Sequence, residues 1–253
     1  MERPRHILIT GGSSGLGAAL ALAYAGPGIR LALAGRDAAR LAATAARCRS
    51  QGAEVETAQI DVADAPAMAD WMGRADNAQP LDLVLANAGV ALPAGGLDER
   101  AERVRLTFAV NLMGVVNTVE PAIALMAPRQ RGQIALMSSL AGFRGLPSAG
   151  AYSASKAAVK AYGEALRGEL AAFGIAVSVI CPGFVKSRMT EANKFPMPLL
   201  MESTRAAAII KRGLARNQAR IAFPLRLYAA MWLLAALPPA LTDRLLVRLP
   251  KKE

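Results

Sequence analysis

Short apolar runs alternate with longer amphipathic stretches along most of the chain. "HILIT" (6–10), "IRLALAG" (29–35), "VETAQID" (55–61), "LDLVLAN" (81–87), "GQIALMSS" (132–139) and "IAVSVICP" (175–182) each read as a buried strand. Between them, alanine-rich segments such as "DAARLAATAARCRS" (37–50) and "AAVKAYGEALRGELAAF" (157–173) repeat apolar positions at helical spacing. Strict alternation of strand and helix predicts a parallel sheet with helices on both faces, a doubly wound α/β fold.

The pattern changes near the end. A last strand is predicted at "ARIAFP" (219–224), after which "LRLYAAMWLLAALPPALTDRLLVRLPKKE" (225–253) forms a helical extension to a domain spanning 1–224. Its uninterrupted apolar stretch, Leu227 to Leu237, is too short to cross a bilayer, and Pro238 and Pro239 end it. Such a segment packs on the domain, dimerises or lies on a membrane.

At 253 residues, 53% of them hydrophobic and with mean hydropathy +0.28, the chain is sufficient for a single well-packed domain. The start, "MERPRHILITGG", lacks the pattern of a secretory signal, so a cytoplasmic protein is expected. Cys48 and Cys181 are the only cysteines and offer no disulfide framework or metal pair; both are expected to be buried thiols. His6 is the only histidine, which leaves no Ser/His/Asp triad and no histidine-rich metal centre. No metal is predicted.

A net charge of +11 and a pI near 10.3 favour an acidic partner: a phosphorylated cofactor, an anionic membrane surface or an acidic carrier protein. A merely solvated basic surface is the competing reading. Nucleic acid is disfavoured, because the basic residues are scattered, aromatics are 5%, and no nucleic-acid module is present.

Two short motifs carry candidate chemistry. In "TGGSSGLG" (10–17), Gly11, Gly15 and Gly17, with Ser13, Ser14 and Leu16 between them, let the backbone turn and approach a pyrophosphate at a helix start. A tight turn without a ligand is the alternative. The spacing G-x-x-x-G-x-G departs from the commoner G-x-G-x-x-G. In "YSASK", Tyr152 and Lys156 stand at i and i+4 on one helix face. A phenol titrates near 10 and needs a positive neighbour to work near neutrality, which Lys156 supplies. An exposed, unreactive helical pair is the alternative here.

Together the two motifs resemble the short-chain dehydrogenase/reductase family. The resemblance runs over about residues 5–190 and includes "ANAG" (86–89), "NLMG" (111–114), "SSLAG" (138–142) and "PGFVKS" (182–187), in the family's order. It implies a Rossmann-type fold and a carbonyl/alcohol oxidoreductase in which Tyr152 donates or takes the proton. Lys156 would hold the nicotinamide ribose, Ser139 would hydrogen-bond the substrate oxygen, and Asn111 would support the lysine through water and backbone contacts. Ser138 would point to the other side of its strand.

The resemblance also implies the cofactor contacts. Asp61 and Val62 would hold the adenine, although an Asp there is equally a helix or turn cap. Asn87, Ala88 and Gly89 read as scaffold beside the cofactor or as a plain turn. Pro182 and Gly183 shape a loop whose Phe184 and Val185 face the nicotinamide, and Ser187, replacing a commoner threonine, would bind its carboxamide. Gly35 stands where NAD-specific relatives carry an acid and Arg36 follows, so NADP(H) is expected over NAD(H); an exposed arginine capping a helix beside Asp37 is the alternative.

A small-molecule carbonyl or alcohol substrate is implied, and the segment "FVKSRMTEANKFPMPLLMEST" (184–204) is expected to cover it. Met189, Phe195, Met197, Leu199, Leu200 and Met201 suggest an apolar lid and an apolar, lipid-like substrate, or else ordinary packing. The tail resembles that of members acting on lipids and steroids. With Arg244, Arg248, Lys251 and Lys252 it fits a peripheral contact at the inner membrane face. Alternatively, Tyr228 and Trp232 at i, i+4 form a packing stripe. A homodimer or homotetramer through the Tyr152 helix is implied by the resemblance alone. Two readings from other classes stand beside the enzyme: a non-catalytic dinucleotide-binding redox sensor, expected to lose the Ser/Tyr/Lys set, and a membrane-associated scaffold acting through its basic tail.

Overall fold

The structure, a computed structural model, describes residues 4–92, 97–191, 193 and 195–246. Arg248, Lys251 and Lys252 of the basic tail lie outside the described residues. Seven strands form one parallel sheet: β1 (His6–Thr10), β2 (Arg30–Gly35), β3 (Glu54–Gln59), β4 (Leu83–Ala86), β5 (Gly132–Met137), β6 (Ile175–Pro182) and β7 (Arg220–Phe223). Their order is β3-β2-β1-β4-β5-β6-β7. The chain therefore winds outward from β1 in one direction and from β4 in the other, and a crevice opens where the two halves diverge.

Within β1, alternate side chains serve opposite layers. Ile7 and Ile9 pack with Leu20, Leu41, Ile210 and Leu214, which belong to α1 (Gly15–Tyr24), α2 (Ala38–Arg49) and α8 (Ser203–Ala215). On the other face, Leu8 packs with Met68, Met72, Val119 and Val159, from α3 (Ala65–Ala78), α5 (Gly114–Met126) and α6 (Gly150–Glu169). Between α4 (Leu97–Phe108) and α5 the helix widens into a π-helical turn, Ala109–Met113. The run Glu99–Arg129 is long and apolar enough to cross a membrane by length and composition, yet it lies along the sheet against α3, α6 and β4.

Two expectations need correction. β3 is not buried: it forms a sheet edge, and Glu54 and Gln59 are exposed because, among the described residues, no strand pairs beyond it. The Tyr228/Trp232 stripe does not form either. In α9 (Leu225–Ala236) the inward arc is Leu227, Tyr228 and Met231, packed near Phe143 and Leu140. At 3.6 residues per turn Trp232 falls beyond the Tyr228 side of that arc, and it is 56% exposed. A short α7 (Arg188–Glu191) lies in the segment after β6, and α10 (Pro239–Leu246) ends the described chain. Arg144 donates to Thr242 Oγ1 and Asp243 Oδ1, each at 3.1 Å, and so ties α10 to the loop after β5. Cys48 and Cys181 are buried thiols, as expected.

Candidate active site

A cleft of about 1100 Å³ opens above the carboxyl ends of the central strands. One end is built on the turn between β1 and α1. Gly11 holds φ +70°, and a Cβ there would come within 2.9 Å of Ala88 Cα and Asn87 Nδ2. A side chain at this position would therefore meet both strain and the β4 loop. Ser14 opens α1 without a side-chain cap, so it does not claim the first-turn amides of the helix. Thr10 staples the floor: its Oγ1 accepts from Asn87 N (3.0 Å) and Ala88 N (3.1 Å), and its carbonyl accepts from Asn87 Nδ2 at 2.8 Å. Bare backbone and free amides at a helix start fit a pyrophosphate.

Beyond β2, the Arg36 side chain is 59% exposed and reaches Asp61 Oδ2 at 3.7 Å. Asp37, not Arg36, is the helix cap: it accepts from Arg40 N at 2.9 Å and pairs with the Arg40 guanidinium at 2.7 Å. Asp61 also accepts from Ala63 N at 3.0 Å, so the turn-cap reading of that residue is realised. Gly35 sits close under Ser13, whose Cβ and Oγ would lie 3.1 Å from a Cβ at position 35.

At the other end stand Ser139, Tyr152 and Lys156. β5 ends at Met137, and the next two serines divide. Ser138 Oγ donates to the Lys156 carbonyl at 2.7 Å, into the Tyr152 helix, whereas Ser139 Oγ accepts from Ala141 N at 3.1 Å and makes a long bond, 3.4 Å, to the Pro182 carbonyl. Burial pushes the Tyr152 phenol above its ordinary range, and a hydrogen bond with Ser139 pulls it back in part. Lys156 is buried, and that burial lowers its ammonium to about 8. Its Nζ donates to the Met137 carbonyl at 2.8 Å and lies 5.8 Å from the centre of the Tyr152 ring.

Asn111 lies behind the cleft, within the π-helical turn, and is completely buried. Its side-chain amide mimics a backbone partner for Val90, accepting from Val90 N at 2.7 Å and donating to Val90 O at 2.9 Å. It also donates to Ser155 Oγ (3.2 Å), which donates to the Tyr152 carbonyl (2.8 Å). Asn111 thus fixes the β4 loop to the Tyr152 helix. A Cβ on Gly89 would lie 3.2 Å from Asn111 Oδ1 and 3.4 Å from Lys156 Nζ, which shows how closely the three approach.

Gly11, Ser13, Ser14, Gly15, Leu16, Gly17, Arg36, Asp61, Val62, Asn87, Ala88, Gly89, Ser139, Tyr152, Lys156, Pro182, Gly183, Val185 and Ser187 all line this one cleft. Asn111 alone among the expected site residues does not. Ser187 overhangs the glycine turn, its Cβ 3.1 Å from where a Cβ on Gly15 would stand. Thr190 holds it there: Thr190 Oγ1 accepts from Ser187 N at 2.8 Å and donates to Val185 O at 3.0 Å. The lid is smaller than expected. Phe184 and Phe195 meet edge-on at 6.1 Å and line the cleft with Met189, but Met197, Leu199, Leu200 and Met201 do not. Met201 is buried beneath Val185, to which it bridges, and Leu199 and Leu200 face solvent. Sequence reasoning missed Thr190, Leu140, Leu227 and Met231. Thr190 and Leu140 had local signals, three residues after Ser187 and directly after Ser139, whereas Leu227 and Met231 depend on distant packing.

A family model for short chain dehydrogenases matches residues 5–196. An uncharacterized oxidoreductase of Myxococcus xanthus is 41% identical over 240 residues, covering 94% of this chain and 95% of that protein. Among solved structures, a short-chain dehydrogenase from Sphingobium yanoikuyae in complex with NADPH superposes with a TM-score of 0.81 at 26% identity, covering 98% of this chain and 97% of that one. A short-chain dehydrogenase/reductase from Burkholderia phymatum in complex with NAD gives 0.84 at 27% identity, covering 97% and 96%. The chain belongs to the short-chain dehydrogenase/reductase family. It is an NAD(P)-dependent oxidoreductase rather than a non-catalytic dinucleotide sensor.

Proposed function

We propose that the protein is an NADP(H)-preferring oxidoreductase interconverting a ketone and a secondary alcohol on an apolar small molecule. The observation that carries this reading is one continuous cleft, with the glycine turn and Arg36 at one end and buried Ser139 and Lys156 beside the half-buried Tyr152 at the other. A bound nicotinamide dinucleotide would supply or accept the hydride. Tyr152, kept as a neutral phenol by burial, would donate its proton to the carbonyl oxygen and in oxidation take the alcohol proton back. Ser139 would donate to the same oxygen, exchanging its long bond to the Pro182 carbonyl for a shorter one. The Lys156 ammonium would oppose the negative charge of a phenolate and offer donors to a ribose. Asn111 would act as a positioning residue, through Val90 and Ser155.

Preference for NADP(H) is supported by the exposed Arg36 guanidinium, which stands 3.7 Å from Asp61 Oδ2 at the cleft edge, and by Gly35, where an acidic side chain would crowd Ser13. The test is titration of NADPH and NADH into the wild type and Arg36→Ala, followed by NADPH oxidation against keto lipids, steroids and short ketones. Tighter NADPH binding that Arg36→Ala abolishes supports the preference. Equal binding of the two nucleotides by the wild type overturns it, and loss of NADPH oxidation against every ketone overturns the activity.

A second reading concerns the tail. Leu225 (74% exposed), Trp232 and Leu233 (both 56%) form an apolar outer face on α9 next to the exposed Arg226, which supports peripheral contact with an anionic membrane surface. Co-sedimentation with phosphatidylglycerol vesicles, comparing the wild type with Trp232→Glu/Leu233→Glu, tests it. Absence of vesicle binding together with self-association that the double variant abolishes would instead assign the face to a second copy of the chain.

A further inference from the structure

We infer that α9 sets the size of substrate the cleft accepts, with Leu227 and Met231 as specificity-determining residues and Arg220 as the positioning residue that holds them there. The inference rests on the oxidoreductase reading of the same cleft.

Leu227 and Met231 belong to the tail, yet they line the cleft together with Leu140, Tyr152 and Gly183. Leu227 Cδ2 would lie 2.9 Å from a Cβ on Gly183, so its methyl rests on the loop that follows β6. Both side chains pack against the small cluster that contains Leu140, the residue directly after Ser139. They form an apolar wall at the proton-transfer end, with Phe184 and Phe195 also lining the cleft. A wall of leucine and methionine offers no hydrogen bond and reads only the volume and apolar length of what lies against it.

The position of that wall depends on one guanidinium. Arg220, on β7, donates to Tyr228 Oη of α9 at 3.1 Å and forms an ion pair with Glu164 of α6. It also stacks 5.5 Å from the Phe143 ring, which meets the Tyr228 ring edge-on at 5.5 Å. Lys160, one turn beyond Lys156 on α6, pairs with the same Glu164 at 3.6 Å and covers Phe143 at 5.3 Å. The helix bearing Tyr152, the segment after Ser139 and the substrate wall therefore share one joint. With Arg220 33% and Glu164 37% exposed, this ion pair is weak as a source of stability. Its consequence is geometric: Tyr228 is fixed in azimuth, which turns Leu227 and Met231 into the cleft and leaves Trp232 outside.

The test uses full-length protein, NADPH and straight-chain methyl ketones from 2-butanone to 2-dodecanone. Both kcat/KM and ketone binding to the NADPH-loaded protein, read by NADPH fluorescence, are measured. Leu227→Ala and Met231→Ala are expected to shift the long-to-short ratio upward by about tenfold, and Met231→Trp to shift it downward, the scale of one or two methylenes in an apolar pocket. Arg220→Met is expected to erase the length dependence through KM rather than kcat, with Arg220→Lys, which keeps the charge facing Glu164, recovering part of it. Ratios unchanged within twofold in all three wall variants would overturn the wall. Arg220→Met that only lowers Tm, with length dependence intact, would overturn the positioning role. Length-selective ketone binding without turnover would sink the oxidoreductase reading and leave the wall standing, whereas no binding of any ketone would remove the wall too.

Discussion

Ser138 and Lys156 hold a strand end and a helix together reciprocally: the Ser138 hydroxyl donates to the Lys156 carbonyl at 2.7 Å, and the Lys156 ammonium donates back to the Met137 carbonyl at 2.8 Å. The lysine is thus aimed by the strand that also presents Ser139.

The adjacent serines should separate cleanly. Ser139→Ala is expected to lower kcat by about 10²–10³-fold, as for loss of one donor to a developing oxyanion. Ser138→Ala should instead cost about 1 kcal/mol of stability, with kcat kept within about tenfold. Steady-state kinetics and urea unfolding on the two variants check this, and equal kinetic losses would refute the division.

Burial of Lys156 has a signed consequence for pH. Its folded value of about 8 lies below the ordinary 10.5, so between them the unfolded chain binds a proton that the folded one has released. Stability therefore rises with pH across that window, and below it the buried charge is a cost. Lys156→Met should flatten the rise and abolish turnover. Urea midpoints of both proteins from about pH 7 to about pH 10 measure the difference.

His6 works at the acid side. It is fully buried in β1, with Nδ1 donating to the Gln79 carbonyl at 2.6 Å and Nε2 without a hydrogen-bond partner among the described residues. Burial lowers its pKa, outweighing the upward pull of the hydrogen bond to the Gln79 carbonyl, and Arg30 adds to the lowering against Glu56 and Asp76. The unfolded state is then the better proton binder, so stability is lost as pH falls through the ordinary histidine range near about 6.5. His6→Asn should remove that acid limb in pH-dependent thermal melts. An unchanged limb would place the titration elsewhere.

One ion pair is expected to matter for folding. Arg129 grips Asp76 with both arms, at 2.8 and 2.9 Å, and also donates to the carbonyls of Leu125 and Leu81. Asp76 accepts from Leu81 N at 2.7 Å, and its side chain is only 12% exposed. Arg129→Ala leaves that carboxylate largely buried and should cost about 2–3 kcal/mol. Arg129→Lys should recover less than half, because an ammonium cannot reproduce the fork. Denaturant midpoints of the two variants decide it.

Strands and helices were legible because burial leaves a local period. "HILIT" and "IAVSVICP" coincide with β1 and β6, and the other predicted strands differ from the observed ones by only a residue or two at either end. Edge position was not legible for β3, since the residues of a strand do not state how many neighbours it has. The residues expected in the site came from motif spacing and the family resemblance, and all but Asn111 line one cavity, whose wall also includes Leu140, Thr190, Leu227 and Met231. Asn111 was expected from its motif, but its partners Val90 and Ser155 were not: a side-chain amide does not announce which backbone it will satisfy.

The sequence by itself determined the alternating architecture, the family, and which residues meet at the two ends of the cleft, because each is written in short-range periodicity or fixed spacing. Tertiary structure alone decided that the Ser138 hydroxyl finds its partner in the Lys156 carbonyl, and that Asp37 rather than Arg36 caps α2. It also decided that the tail sends Leu227 and Met231 into the site while Trp232 stays out. These depend on packing between segments far apart in the chain, such as Glu164, Arg220 and Phe143, and a helix's inward face is set by the partners it meets rather than by its apolar residues alone.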